Sequence, residues 1–98
     1  MTFTHVVSFR WNEHTTGADV DRATAALTAL VATLVGVENY ICGPDAGFTP
    51  GTYDYAIVGA FATRDDFLAY RDHPEHQRIS KELIVPHVAD RVVVQLEG

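Results

Sequence analysis

The chain has 98 residues, 47% of them apolar and 20% charged, with 7 Lys+Arg against 13 Asp+Glu and a formal charge of -6. That length holds one domain, residues 1–98, around one core, and ordinary globular composition argues against intrinsic disorder. The acidic balance excludes nucleic acid and an anionic membrane surface as partners, because both need clustered cations.

Phe3 to Trp11 alternates: Phe3, His5, Val7, Phe9 and Trp11 share one parity, and Thr4, Val6, Ser8 and Arg10 the other. Aromatic and β-branched residues in alternation predict a strand with one strongly apolar face. Asn12 to Gly17 is a polar turn. Val20, Ala23, Leu27, Leu30, Val31 and Leu34 then recur at steps of three and four, which predicts an amphipathic helix over about Ala18–Leu34. Asp19 and Asp21 suit its first turn, and Gly36 suits its stop.

Val37 to Gly43 is a second strand, and Pro44 to Thr52 a loop with two Pro and two Gly. The single cysteine, Cys42, rules out an internal disulfide and Cys-x-x-Cys metal spacing; in the run Tyr40-Ile41-Cys42 it reads as a small buried hydrophobe. Tyr53 to Phe61 is a third strand, apolar on both faces and therefore central. Thr63-Arg64-Asp65-Asp66 has capping-box spacing and starts a helix that runs to about Tyr70. Pro74 suits a helix's first turn, so a second helical piece runs from Pro74 to about Ile84, and Pro86 helps end it. Arg91 to Leu96 is the last strand. No signal-peptide pattern and no apolar run of membrane length is present, so the expected location is cytoplasmic.

The order β-α-β-β-α-β predicts an α+β, ferredoxin-like protomer: four antiparallel strands with helices on one face. The other face then exposes Val6, Ala56, Val58, Ala60, Val92 and Val94, too much apolar surface for a soluble monomer. Sheet-to-sheet packing of two copies covers it, so the expected partner is the chain itself, in a symmetric homodimer.

Chemistry must come from a few side chains. His5 shares a face with Val7 and Phe9, as a hydrogen-bonded core histidine or as a polar group on a pocket wall. His76 sits at the junction of the two helical pieces, with an unperturbed pKa suited to general acid/base work. Tyr70, six residues earlier, is either a core aromatic or an anchor for a carbonyl. His73, before Pro74, reads as a cap or turn residue, His14 as solvated, and His87 has no assigned role. His73 and His76 are three apart, but Pro74 breaks the helix between them, so no metal is expected. No Gly-x-Gly-x-x-Gly, P-loop or Gly-x-Ser-x-Gly occurs, so no cofactor and no serine hydrolase are expected.

His5-Val6-Val7-Ser8-Phe9-Arg10, Gly36-Val37, Tyr53-Asp54-Tyr55-Ala56 and Tyr70-Arg71-Asp72-His73-Pro74-Glu75-His76-Gln77 together resemble the stress-responsive dimeric α+β barrel (Dabb) family over nearly the whole chain. The family includes stress-induced proteins and olivetolic acid cyclase, a cofactor-free polyketide cyclase. The resemblance implies His76 as general base, Tyr70 as the group that holds substrate, and His5 in support. Substrate-binding positions are expected at Tyr55, Ile57, Leu27, Arg71 and Ile79. Departures lie at Tyr55, where the cyclase has a histidine, at Ala23 and Leu27, where it has aromatic residues, and at Arg71, where it is apolar.

Three readings follow from the residues and the resemblance. The first is a small cofactor-independent enzyme of cyclase, aldol or isomerase type acting on a small apolar or aromatic ligand. The second is a non-catalytic stress-responsive or ligand-binding dimer. The third is a cofactor-free monooxygenase.

Overall fold

The computed structural model describes residues 2–98. The strands are β1 (Phe3–Trp11), β2 (Val37–Pro44), β3 (Tyr55–Phe61) and β4 (Val88–Glu97); the helices are α1 (Gly17–Val31), α2 (Arg64–Asp72) and α3 (Pro74–Ile79). α3 runs on into a π-helical turn, Ser80–Ile84, and a 3-10 turn, Val85–His87. The four strands form one antiparallel sheet in the order β2-β3-β1-β4. This is the ferredoxin-like arrangement read from the element order, with β3 an interior strand as its two apolar faces required. No helix among the described residues is long and apolar enough to cross a membrane.

Local chemistry sets the boundaries. α1 starts on a full capping box: the Asp19 amide donates to Thr16 Oγ1 at 3.2 Å, and the Thr16 amide donates to Asp19 Oδ2 at 2.9 Å. It ends at Val31, short of Leu34, in a turn that closes at Gly36 with φ +85. A Cβ at Gly36 would collide with the Asp66 carboxyl group, so the glycine serves both the turn and the close approach of α2. β3 starts at Tyr55, two residues later than the alternation suggests. Asp54 turns the chain there: its carboxylate accepts from the Trp11 amide at 2.9 Å and its carbonyl from the Asp45 amide at 2.9 Å. β4 is longer than Arg91–Leu96 and starts at Val88.

The helices cover the sheet face that carries Phe3, Val7, Phe9, Tyr55, Ile57 and Phe61. Leu27, Phe61 and Ile79 are wholly buried in this layer. The opposite face has no cover from this chain. Register aligns Ile41, Val58, Val6 and Val94 in one row across all four strands. Ile41 is 63% exposed, Val94 48% and Leu96 57%, so the uncovered patch is wider than Val6, Ala56, Val58, Ala60, Val92 and Val94 alone.

Candidate active site

Between the sheet and the irregular end of the cover layer lies a cavity of about 320 Å³. Val7, Phe9 and Ile57 form its floor, and Ile84, Val85 and Val88 its far wall. The polar lining comes from His5, Tyr70, His76, Ser80 and Arg91. The sheet supplies the floor because β1 and β3 turn alternate side chains to one side. The opening arises above it because the second cover helix is broken at Pro74 and widened at Ser80–Ile84.

The break decides what the two neighbouring histidines do. His73 is held extended (φ -59, ψ 132) by the proline that follows it. Its Nδ1 accepts the Glu75 amide at 3.0 Å and caps α3, so His73 is structural. His76 faces the other way. Its Nδ1 lies 2.9 Å from the Arg71 carbonyl oxygen, which the helix break leaves without a helical donor. A carbonyl only accepts, so the neutral ring carries its proton on Nδ1 and leaves the lone pair on Nε2. Gln77 Nε2 donates to the same oxygen at 2.6 Å. Burial holds the His76 pKa below 6.5, against the opposing pull of the Arg71 bond, so the ring is neutral at physiological pH.

Tyr70 is buried with its ring centroid 4.3 Å from that of His76. Its hydroxyl lies 2.8 Å from the hydroxyl of Tyr40 on β2. Two hydroxyls sharing one hydrogen bond leave one proton uncommitted, and Tyr70 is the member of the pair that lines the cavity. Burial pushes the Tyr70 phenol up to about 12, partly offset by the Tyr40 bond, and raises Tyr40 further still. Both phenols therefore stay protonated throughout the neutral range.

His5 stands opposite Gln95 across the β1–β4 ladder, packed 4.9 Å from the Phe67 ring. Gln95 Nε2 donates to His5 Nδ1 at 3.3 Å, which leaves the His5 proton on Nε2. Burial, then the proximity of His76 and Arg91, lower its pKa to about 4. The cavity thus gathers one imidazole with a free lone pair and two neutral hydrogen-bond donors.

Of the residues expected at the site, His5, Ile57, Tyr70 and His76 meet in this cavity; Tyr55, Leu27, Arg71 and Ile79 do not line it. The Tyr55 hydroxyl lies 2.6 Å from Thr24 Oγ1 on α1, so its ring is fastened to the closed side of the layer. Leu27 and Ile79 are wholly buried packing residues. Arg71 turns outward and pairs with Asp72 at 2.9 Å. The cation that does line the cavity is Arg91, which pairs with Phe9 in register and so shares its face. Its position was hidden because Arg91-Val92-Val93-Val94 reads as an apolar run until its register is known. Ser80 and Ile84 were also unforeseen, because they enter through the π-helical turn, as was Val85, which enters through the 3-10 turn after it.

A family model described as Stress responsive A/B Barrel Domain matches residues 3–97. No curated protein matches the chain. Among solved structures, a dimeric ferredoxin-like protein from Thermobifida fusca is 39% identical, with TM-score 0.91, covering 100% of this chain and 92% of that one. A hydroxynitrile lyase from Passiflora edulis is 20% identical, with TM-score 0.82, covering 97% and 91%. SnoaB, a cofactor-independent oxygenase from Streptomyces nogalater, is 13% identical, with TM-score 0.79, covering 99% and 92%. The last two share the fold; their identities are too low to carry more.

Proposed function

The chain belongs to the stress-responsive A/B barrel family, and from that premise we propose that it is a cofactor-independent enzyme of cyclase, aldol or isomerase type with His76 as its general base. His76 Nε2 takes a proton from a carbon next to a carbonyl. The Tyr70 hydroxyl, with Tyr40 donating to it from behind, hydrogen-bonds the enolate oxygen that forms, and the His5 Nε2–H gives a second donor. The enolate carbon attacks a second carbonyl of the same molecule or is reprotonated elsewhere. His76, now protonated, returns the proton to the alkoxide or carbon that results. Donors held in place in a partly dry cavity favour the charged intermediate over the neutral ketone.

One observation carries this reading: His76 turns its Nδ1 to the Arg71 carbonyl and thereby has its basic nitrogen free beside the Tyr70 ring. General base assistance is worth about 10²–10⁴-fold. With 5-oxo-octanoate in deuterated water, His76→Ala should lower catalysed exchange of the α-protons by about that factor while still folding. An unchanged exchange rate in a folded variant overturns the base role. The rate should rise with pH along a limb whose midpoint lies below 6.5, where His76 loses its proton, and then stay level through neutrality.

We also propose that the working unit is a homodimer joined through the uncovered sheet face. The Ile41-Val58-Val6-Val94 row supports this, as does the dimeric state of the 39% identical Thermobifida protein. Light scattering should give twice the 10.8 kDa chain mass, and Val58→Glu should reduce it to one. A wild-type monomer at micromolar concentration overturns the dimer.

A further inference from the structure

Arg91 is the cationic side chain of the cavity lining, and its surroundings differ from those of the other arginines. Arg22 pairs with Asp19, Arg64 with Glu97, Arg71 with Asp72, and Arg78 with Glu75 and Glu82. Arg10 lies over the Tyr53 ring, 4.2 Å from its centroid. Among the described residues, Arg91 has no carboxylate within ion-pair distance, in a chain with 13 acidic residues. Its sequence neighbour Asp90 is on the opposite face of β4, where it accepts the Tyr53 hydroxyl at 2.7 Å. The floor and far wall around Arg91, from Phe9 to Val88, are apolar. A guanidinium left unneutralised beside apolar walls has the geometry to hold a planar anion by two parallel hydrogen bonds.

We propose that the cavity takes a small carboxylate with an apolar body, its anionic group held by Arg91 and its far end reaching His76 and Tyr70. The proposal rests on the reading of this cavity as the reaction site and names its substrate class, a keto acid. The volume, about 320 Å³, equals roughly ten waters and suits a medium-chain acid rather than a large conjugate. The positions bracket the ligand: Arg91 pairs with Phe9, and Gln95 pairs with His5. Four residues of strand, about 13 Å, separate those pairs, a span the long arginine side chain shortens from its end. The carboxylate and the reacting carbonyl therefore belong at opposite ends of the molecule, several bonds apart. A net charge of -6 repels anions elsewhere on the surface, so Arg91 also sets where such a ligand enters.

Titration calorimetry with octanoate and octanamide separates charge recognition from apolar contact. Wild-type protein should bind octanoate at least about tenfold tighter than octanamide, a preference that weakens as salt rises. Arg91→Gln, on an exposed strand position, should abolish the preference by weakening octanoate and leave octanamide unchanged. Equal binding of the two ligands by wild type overturns the proposal. So does octanoate binding that Arg91→Gln does not weaken, as on the uncovered valine face. His76→Ala should keep the octanoate preference while losing exchange activity, so failure of the base role and failure of the anion anchor give different results.

Discussion

The two halves of the cover layer solve the same packing task in opposite ways. α1 is one unbroken helix, closed by a capping box at its start and packed on the sheet through Ala23, Leu27 and Leu30. Its polar link to the sheet is the Thr24–Tyr55 hydroxyl pair, satisfied within the protein. The second half is interrupted at Pro74, widened at Ser80–Ile84 and turned again at Val85–His87. Each interruption contributes to the cavity: the first frees the Arg71 carbonyl that orients His76, the second brings in Ser80 and Ile84, and the third Val85. Regular backbone makes the dry core, and irregular backbone makes room and leaves polar groups to be used.

Substitutions on the two halves should therefore differ in kind. The largest effect on stability is expected at Leu27→Ala, about 2–5 kcal/mol by a denaturant midpoint, because the site is sealed and a void there cannot refill. Ile84→Ala, already beside open space, should cost clearly less; equal losses would break the contrast.

An acid titration of stability should sense the open half. His5 has its pKa lowered to about 4, and His76 is lowered in the same direction. The native state therefore binds fewer protons than the unfolded chain between about 4 and 6.5. The stability linked to these rings is fully present above 6.5 and is lost as pH falls toward 4. His5→Gln should flatten that slope, whereas Leu27→Ala should shift the curve without changing its shape.

Tyr40→Phe removes the partner of the Tyr70 hydroxyl and should cost about 0.5–1.5 kcal/mol. It should also lower kcat for α-proton exchange with little change in KM, because Tyr40 acts on the substrate only through Tyr70; a variant with wild-type kcat would reduce Tyr40 to packing. Thr16→Ala should act on stability alone, about 1 kcal/mol through the lost α1 cap, with activity per folded molecule unchanged.

How much could be read in advance follows the same division. The alternation from Phe3 to Trp11 and the three-and-four spacing of α1 are local patterns, and they identified strand, helix and inward faces directly. His5 is legible as a polar group on an apolar strand face, His76 by its place at the helix junction that Pro74 makes, and Tyr70 by its spacing six residues before His76. The π-helical turn was not, since Ile79, Leu83 and Ile84 suit a regular helix equally well by spacing. Arg71 and Arg91 exchanged importance for a non-local reason. Arg71 follows Tyr70 in sequence but points away, while Arg91 reaches the cavity through its pairing with Phe9, 82 residues earlier. The resemblance places Tyr55 and Leu27 at the pocket, yet Thr24 and the tight α1 packing close that side.

The widened turn at Ser80–Ile84 has an evolutionary consequence. A π-helical turn holds one residue more than a regular turn needs, so a one-residue deletion there would return the segment to α-helical register and draw its wall onto the sheet. An insertion nearby would do the reverse. In this chain the room available to a ligand is thus open to change by single insertions and deletions in one short segment. A lineage could acquire a larger or smaller ligand while Val7, Phe9 and Ile57 beneath it, and the histidine that acts on it, stay as they are.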